Sequence, residues 1–234
     1  MSVGIVKEIF TGKVKTYGDK EAECKFNQEW TTAAFKTPVA DNIYLGTLGL
    51  TGDEQADTLH HGGEEKALFV YPRKHYEEWS RELGKEVAIG SNGENISVLG
   101  LSESDVCIGD IYQLGESMIE VTQPRRPCWK PARRLRDIEL AKKIEQSGRT
   151  GWYYRVRVSG RIKRGDQFIL LERKYPHWTM EKINDVLYKY TDNIGLMENL
   201  RDVDILPVSF KETLNKRLQG QPVDDTKRHY GPNI

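Results

Sequence analysis

One cysteine lies in a cation-rich run of the chain. Cys128 belongs to the segment 123–130, which reads QPRRPCWK. Nearby positive charges favour the thiolate, which is the form that attacks electrophiles and binds metals. The proline before the cysteine fixes its own φ angle and favours an extended conformation at Arg126, so the thiol lies on a stiffened turn. The run therefore predicts a nucleophile or metal ligand at Cys128, whereas Cys24 and Cys107 are interpreted as inert, buried apolar side chains.

A second unusual segment combines imidazoles with glycines. His60, His61, Gly62 and Gly63 follow shortly after the acidic run 52–57. Imidazole nitrogens can act as bases or ligands, and glycine backbone N–H groups can approach an anion closely. Together with the basic cysteine run, this segment indicates chemistry on an anionic ligand.

Three chemistries are open for these residues. Structural zinc sites show two ligands a few residues apart, a spacing that this chain lacks, and adjacent His60 and His61 would diverge in an extended segment. A cysteine hydrolase would use Cys128 as nucleophile with His60 or His61 as base, although nothing in the sequence brings them together. A phosphate cradle would use Gly62 and Gly63, although the run is neither a Walker loop nor a dinucleotide motif.

The composition is that of a globular protein with balanced charge. The 234 residues are 38% hydrophobic and 30% charged, with 35 basic and 35 acidic side chains. Zero formal net charge argues against a general nucleic-acid or membrane-surface binder. No run approaches the ~18 apolar residues of a membrane span. An odd number of scattered cysteines fits a reducing compartment, so we expect a cytoplasmic protein that contacts neither nucleic acid nor membrane.

Short strands dominate the part of the chain that must position these residues, 1–173. The spacing predicts strands at 3–10, 105–114, 117–122, 151–158 and 166–172. Many short strands at close intervals are typical of a barrel or sandwich. Two helices, at 74–83 and 132–146, interrupt the strands.

The sequence pattern changes near residue 174, where glycines thin out and helical spacing begins. Apolar stripes predict three helices within residues 174–219, with Thr179 as the N-cap of the first and Ser209 and Glu212 as a capping box for the third. Such a unit has a thin core and is expected to pack against the barrel. The polar residues 220–234 are expected to form a flexible tail.

Taken in order, a set of short motifs resembles the MOSC domain, named for the C-terminal domain of molybdenum cofactor sulfurase. The motifs occupy 36–39, 49–57, 61–63, 93–96, 108–110 and 123–128, and residues 147–156 and 160–166 extend the match. Residues 177–188 resemble the small three-helix domain that follows MOSC in one bacterial branch, which includes the 6-N-hydroxylaminopurine resistance protein. Asn92 departs from this pattern, because relatives more often carry an aromatic residue there.

The resemblance implies a mainly β fold, a barrel of the pyruvate-kinase type with inserted helices. It also implies binding of molybdenum cofactor (molybdopterin), with Cys128 as the protein ligand of the metal. Cys128 and His61 are the candidate catalytic residues. The candidate cofactor-binding residues are Lys36, Asp53, His60, His61, Gly62, Gly63, Glu94, Asn95 and Arg125.

Better-studied relatives reduce N-hydroxylated bases and amidoximes with electrons from a separate flavin or haem reductase. The leading hypothesis is therefore a molybdenum-dependent reductase of N-hydroxylated substrates with an external donor, because the chain shows no flavin or iron–sulfur motif. One alternative is a non-catalytic carrier of the cofactor or of a sulfurated form. Another is a scaffold whose three-helix unit recruits a partner. Since every candidate site residue precedes Lys174, a chain that ends there is expected to retain cofactor binding.

Overall fold

The computed structural model describes residues 3–40 and 42–234. Met1, Ser2 and Asp41, which fall within the predicted 1–173 unit, lie outside the described residues. A closed barrel of seven strands forms the centre of the structure. In chain order the strands are β1 (Gly4–Thr11), β2 (Lys15–Tyr17), β3 (Trp30–Thr32), β4 (Thr37–Pro38), β5 (Ile43–Gly46), β6 (Gly49–Leu50), β7 (Leu68–Pro72), β8 (Ile96–Leu99), β9 (Ile111–Leu114), β10 (Ser117–Pro124), β11 (Trp152–Val158), β12 (Gly160–Ile162) and β13 (Gln167–Glu172). The barrel order is β13-β9-β10-β11-β7-β8-β1, and pairing of β1 with β13 closes it. Only β7 and β8 pair in parallel among these strands. The predicted barrel with inserted helices is confirmed.

Helices cover one side of the barrel and follow its last strand. They are α1 (Thr58–His61), α2 (Lys74–Leu83), α3 (Trp129–Leu135), α4 (Leu140–Ser147), α5 (Met180–Tyr188), α6 (Ile194–Arg201), α7 (Val208–Leu218) and α8 (Thr226–Tyr230). The prediction of a helix at 74–83 is confirmed, and Gly84 ends it in the left-handed conformation that glycine adopts without a Cβ penalty. Among the described residues, no helix combines the length and the apolar character needed to cross a membrane.

The predicted helix at 132–146 is wrong, because two helices occupy this stretch. Arg136 adopts a left-handed conformation (φ 52°) and ends α3. The carbonyl of Asp137 accepts the N–H of Leu140 at 3.1 Å, and its carboxylate accepts the N–H of Glu139 at 3.0 Å, which starts α4. Apolar residues keep their helical spacing across this break, so periodicity alone could not reveal it.

Strand β7 is buried on both faces and joins two layers of the fold. Leu68 and Val70 point into the barrel core. Phe69 and Tyr71 point outward, where the side chains of α2 and α4, including Trp79, pack on them. This double burial explains the continuous apolar run of the strand, which is usual for a strand with a parallel neighbour. It also fixes Phe69 beside the cavity described below.

The C-terminal helices extend the barrel core. Met180, Ile183 and Leu200 are buried in one apolar cluster with the barrel strands. Thr179 caps α5 as predicted, since its Oγ1 accepts the N–H of Lys182 at 3.0 Å. The predicted capping box of Ser209 and Glu212 is wrong, because α7 begins at Val208 after Pro207, whose side chain makes no cap hydrogen bond.

The last residues of the chain return to the barrel side of the molecule. Within residues 220–234, for which the sequence predicts a flexible tail, the structure contains helix α8 and a 3-10 turn at Gly231–Asn233. Both elements contact α3, and α8 also contacts α4. Arg228 and Asn233 make specific hydrogen bonds there, which a reading of polarity and proline content could not anticipate.

Candidate functional site

A cavity that is open to solvent lies between the loop after β6, the loop before β8 and the turn from β10 to α3, and its empty volume is about 710 Å³ with the adjoining solvent space included. Five of the residues singled out from the sequence, together with Cys128, line it. They are Lys36, Asp53, His61, Asn95 and Arg125. Further lining residues include Asp57, Lys66, Phe69, Asn92, Lys130, Arg134 and Tyr153.

Cys128 is the residue immediately before α3 and is held in an extended conformation. Its Sγ lies 3.7 Å from Nε2 of His61 and 3.8 Å from Nη2 of Arg125. Burial alone would raise the pKa of this thiol, but the contact with His61 and the charge of Arg125 outweigh it and lower the pKa from 9.0 to about 6. Cys128 is therefore largely a thiolate at neutral pH, and the thiolate is the reactive and metal-binding form.

The other two cysteines differ from Cys128 in their surroundings, and all three are free thiols. Cys107 is buried as predicted, and burial raises its pKa to about 11. The prediction that Cys24 is buried is wrong: it is exposed, in the loop between β2 and β3. Among the three thiols, Cys128 alone lines the cavity.

Arg125 presents an unused donor to the cavity. The residue is 4% exposed, and its guanidinium stacks on the Phe69 ring at 5.3 Å from the centroid. Its Nη2 donates to Cys128, whereas its buried Nη1 has no hydrogen-bond partner within residues 3–40 and 42–234. A buried charged donor without an acceptor is costly. The arrangement therefore fits a site that is completed by a ligand carrying an acceptor.

The two adjacent histidines face different surroundings. His61 lines the cavity beside Cys128, at the end of α1. The side chain of His60 is 70% exposed and pairs with Asp57 at 3.0 Å, and His60 is not part of the cavity lining. Gly62 and Gly63 follow in extended and positive-φ conformations and also lie outside the lining. The four residues predicted as one group are therefore divided, with His61 facing the ligand space.

Lys36, Asp53 and Asn95 form a buried network in the cavity wall. Asp53 Oδ2 accepts from Lys36 Nζ at 2.7 Å and from Asn95 Nδ2 at 2.8 Å, and Oδ1 accepts from the N–H of Gly12 at 2.7 Å. Burial lowers the pKa of Lys36, and the neighbouring carboxylate of Asp53 opposes that shift. The lysine proposed as an anion ligand thus already has a carboxylate partner.

Glu94 lies behind the cavity wall. It is fully buried, and its Oε1 accepts from the hydroxyl of Tyr76 and from the N–H of Gly90 at 2.9 Å. Burial raises the pKa of this carboxyl, and it is not among the lining residues. Glu94 therefore shapes the loop before β8, which carries Asn92 and Asn95 into the cavity.

Four cavity residues were missed by the sequence analysis as site candidates. Lys66, Lys130 and Arg134 add positive charge, and Asn92 adds an amide whose buried Nδ2 has no partner among the described residues. Lys66 Nζ donates to the carbonyl of His60 at 2.7 Å, and burial lowers its pKa. Lys130 was visible in the run around Cys128, but Lys66 and Arg134 carried no local signal because solvated surface cations look the same in sequence.

Beside Cys128 lies one further side chain of a metal-binding type, the imidazole of His61. Within the described part of the chain, no group of three His, Cys, Asp or Glu side chains could hold a metal ion. A metal bound at Cys128 would need ligands beyond Cys128 and His61. A structural zinc site, in contrast, is built from four protein ligands.

The comparisons with known proteins agree with the fold. A family model for the MOSC domain matches residues 57–168. The uncharacterized protein YflK of Bacillus subtilis is 35% identical over 186 residues, which are 80% of this chain and 84% of that protein. A protein named reductase from Gibberella moniliformis is 31% identical over 223 residues, which are 94% of this chain but 38% of that protein.

A solved structure is similar over most of the chain. The crystal structure of YiiM from Geobacillus stearothermophilus has a TM-score of 0.75 and 34% sequence identity, and the alignment covers 92% of this chain and 99% of that one. The chain belongs to the MOSC domain family. This membership supports a function related to the molybdenum cofactor.

Proposed function

We propose that this protein binds molybdenum cofactor through Cys128 and reduces N-hydroxylated substrates with electrons from an external donor. The observation that carries the proposal is the buried Cys128 sulfur, which lies 3.7 Å from His61 Nε2 and 3.8 Å from Arg125 Nη2 at the wall of an open cavity. A soft thiolate suits a metal that is otherwise held by sulfur ligands.

The charges of the cavity fit the rest of that cofactor. Its phosphate needs cations and N–H donors, and Arg125 offers a buried Nη1 that has no partner within the described residues. Lys66 and Lys130 also line the cavity, although Lys130 already pairs with Asp57 at 3.3 Å. Lys36 pairs with Asp53, so its proposed role is to neutralise that buried carboxylate and to fix the cavity wall beside the ligand.

The reaction requires protons as well as electrons. Cleavage of an N–O bond consumes two electrons and two protons and yields an amine or amidine and one water. When bound, the cofactor supplies the two-electron redox change, and a flavin or haem reductase is the proposed source of electrons. His61, with Nε2 beside Cys128 Sγ, is the candidate that delivers a proton to the departing oxygen. The name reductase given to the Gibberella relative is consistent with this chemistry.

The three free thiols agree with a reducing compartment, so we propose that the protein acts in the cytoplasm.

The same proposal divides the chain into a barrel unit, residues 1–173, and a three-helix unit, residues 174–219. The alternative function is a carrier that binds the cofactor and delivers it without turnover.

Turnover separates the reductase from the carrier. Protein produced in a host that makes molybdenum cofactor is supplied with an aromatic amidoxime and an artificial one-electron donor, and amidine formation is measured. The reductase predicts amidine formation that depends on Cys128 and falls strongly in His61→Gln. Stoichiometric molybdenum without amidine formation would favour the carrier. Protein without molybdenum would contradict both.

A further inference from the structure

The C-terminal end of the chain holds the residue before Cys128. In helix α8, Arg228 Nη1 donates to the carbonyl of Pro127 at 2.5 Å. The same guanidinium pairs with Glu145 of α4 at 2.6 Å and with Asp225 at 2.8 Å. Because the side chain of Arg228 is 18% exposed, these ion pairs are shielded and their geometry is well defined. Arg228 therefore ties the turn before Cys128 to both α4 and α8.

The residue after Cys128 is held by the same part of the chain. Asn233, which is 6% exposed, donates from Nδ2 to the carbonyl of Trp129 at 3.2 Å. Gly231 lies against the Trp129 ring so closely that a Cβ atom there would be 2.4 Å from the ring. Glycine is required at this position because its φ is also positive, at 49°.

A third contact comes from Arg126. Its Nη2 lies 3.5 Å from Asp225, and its Nη1 donates to Thr213 of α7 at 3.3 Å. Its guanidinium also lies over the Phe210 ring, 5.5 Å from the centroid. Arg126 thus points away from the cavity, toward the C-terminal helices, although it is only two residues from Cys128.

We propose that residues 225–233 form a brace that positions the Cys128 turn, with Arg228 as the principal positioning residue. Arg126, Pro127 and Trp129, which flank Cys128 on both sides, each make a polar contact with this segment. The brace sets where the sulfur lies relative to His61 and Arg125 without touching either. Its consequence for molybdenum rests on the proposed function, whereas its effect on the thiol does not. On this proposal a chain that ends near Lys174 loses cofactor binding, contrary to the expectation from sequence.

The brace can be tested by alkylation of Cys128, because Cys24 and Cys107 of the same chain serve as internal references. Full-length apo-protein is treated with iodoacetamide at about pH 9, where an ordinary thiol is largely ionised, so that the rate reports access to the sulfur. Mass spectrometry then follows each cysteine separately. Exposed Cys24 is the internal standard, and Cys107, buried in the fold, reports global unfolding. The variants are Arg228→Ala and Asn233→Ala, and exposed Lys227→Ala of the same helix is the matched control.

In Arg228→Ala, alkylation of Cys128 should accelerate at least about tenfold while Cys107 stays protected, because local opening of the turn becomes easier. Lys227→Ala should match the unaltered protein. Unchanged Cys128 kinetics, or equal acceleration of Cys107 and Cys128, would overturn the brace. If Arg228→Ala does not fold, Asn233→Ala decides by the same criterion. Molybdenum content, measured separately, should be lower in the variants whose Cys128 is alkylated faster. If alkylation accelerates but even the unaltered protein never holds molybdenum, the brace stands and the proposed function is rejected.

Discussion

The sulfur of Cys128 lies 3.7 Å from Nε2 of His61, although the two residues are 67 positions apart in the chain. Helix α1 brings the histidine to the cavity, and the turn after β10 brings the cysteine. The pair combines a soft ligand with a group able to hold a proton. Its geometry leads to predictions that need no bound cofactor, as well as to predictions that do.

The first prediction concerns the ionisation of the thiol. Since the pKa of Cys128 is lowered to about 6, its alkylation in apo-protein should follow thiolate formation, half-maximal near that pH and constant above neutrality. Below this pH the thiol is protonated and the rate should fall. Arg125→Met should move the midpoint upward because it removes a stabilising charge. Cys107, whose pKa is raised to about 11, should remain unmodified throughout. A Cys128 midpoint near that of an ordinary thiol would contradict the assignment.

The second prediction concerns the buried pair in the cavity wall. Lys36 and Asp53 have side chains 7% and 2% exposed, so Lys36→Met should lower the free energy of unfolding by about 3 kcal/mol, as expected when one buried partner is lost. The exposed pair Lys13–Glu54 offers the matched control, and Lys13→Met should cost less than about 1 kcal/mol. Urea unfolding measures both. Similar losses of unfolding free energy in the two variants would show that the buried pair stabilises the fold no more than the exposed pair does.

The third prediction concerns the anion end of the cavity. Arg125→Met should weaken cofactor binding by about 1.5–3 kcal/mol, because a charge-assisted hydrogen bond is lost. Titration of apo-protein with the cofactor measures this. Arg149→Met is the control, since that guanidinium stacks on Trp79 and pairs with Glu78 outside the cavity lining. If the Arg125 variant binds the cofactor as tightly as the unaltered protein, Arg125 does not contact the ligand.

The fourth prediction concerns Asn92. Its buried Nδ2 has no partner within the described residues and belongs to the cavity lining. Asn92→Ala should therefore change stability by less than about 1 kcal/mol, because no internal hydrogen bond is lost. If the amide contacts substrate, KM for an amidoxime should rise about fivefold with kcat nearly constant. A variant that loses stability but keeps KM would show that Asn92 supports the fold alone.

Short strands and turn residues leave local signals, and these predicted a barrel or a sandwich; the choice of a barrel came from the resemblance to the MOSC domain. The strand predicted at 117–122 and the capping of α5 by Thr179 are such cases. The break at Arg136 could not be predicted, since the apolar spacing continues across it and a non-glycine residue adopts the left-handed conformation.

The site was only partly accessible from the sequence. Cys128 and Arg125 share one run, so their proximity was predictable from the local charge pattern. The separation of His60 from His61 depends on the short helix α1 and on the pairing of His60 with Asp57. The contact between Arg228 and Pro127 joins residues 101 positions apart, and no local pattern marks it. Long-range contacts of this kind are decided by packing, which a single sequence does not display.

The molybdenum content of protein purified from a host that makes the cofactor tests whether Cys128 is the metal ligand. Unaltered protein and Cys24→Ser should carry close to stoichiometric molybdenum and pterin. Cys128→Ser should keep its fold, as judged by circular dichroism and urea unfolding, and retain less than about a tenth of the metal, because serine is a harder ligand of nearly the same size. Full molybdenum occupancy in folded Cys128→Ser would show that Cys128 is not the metal ligand.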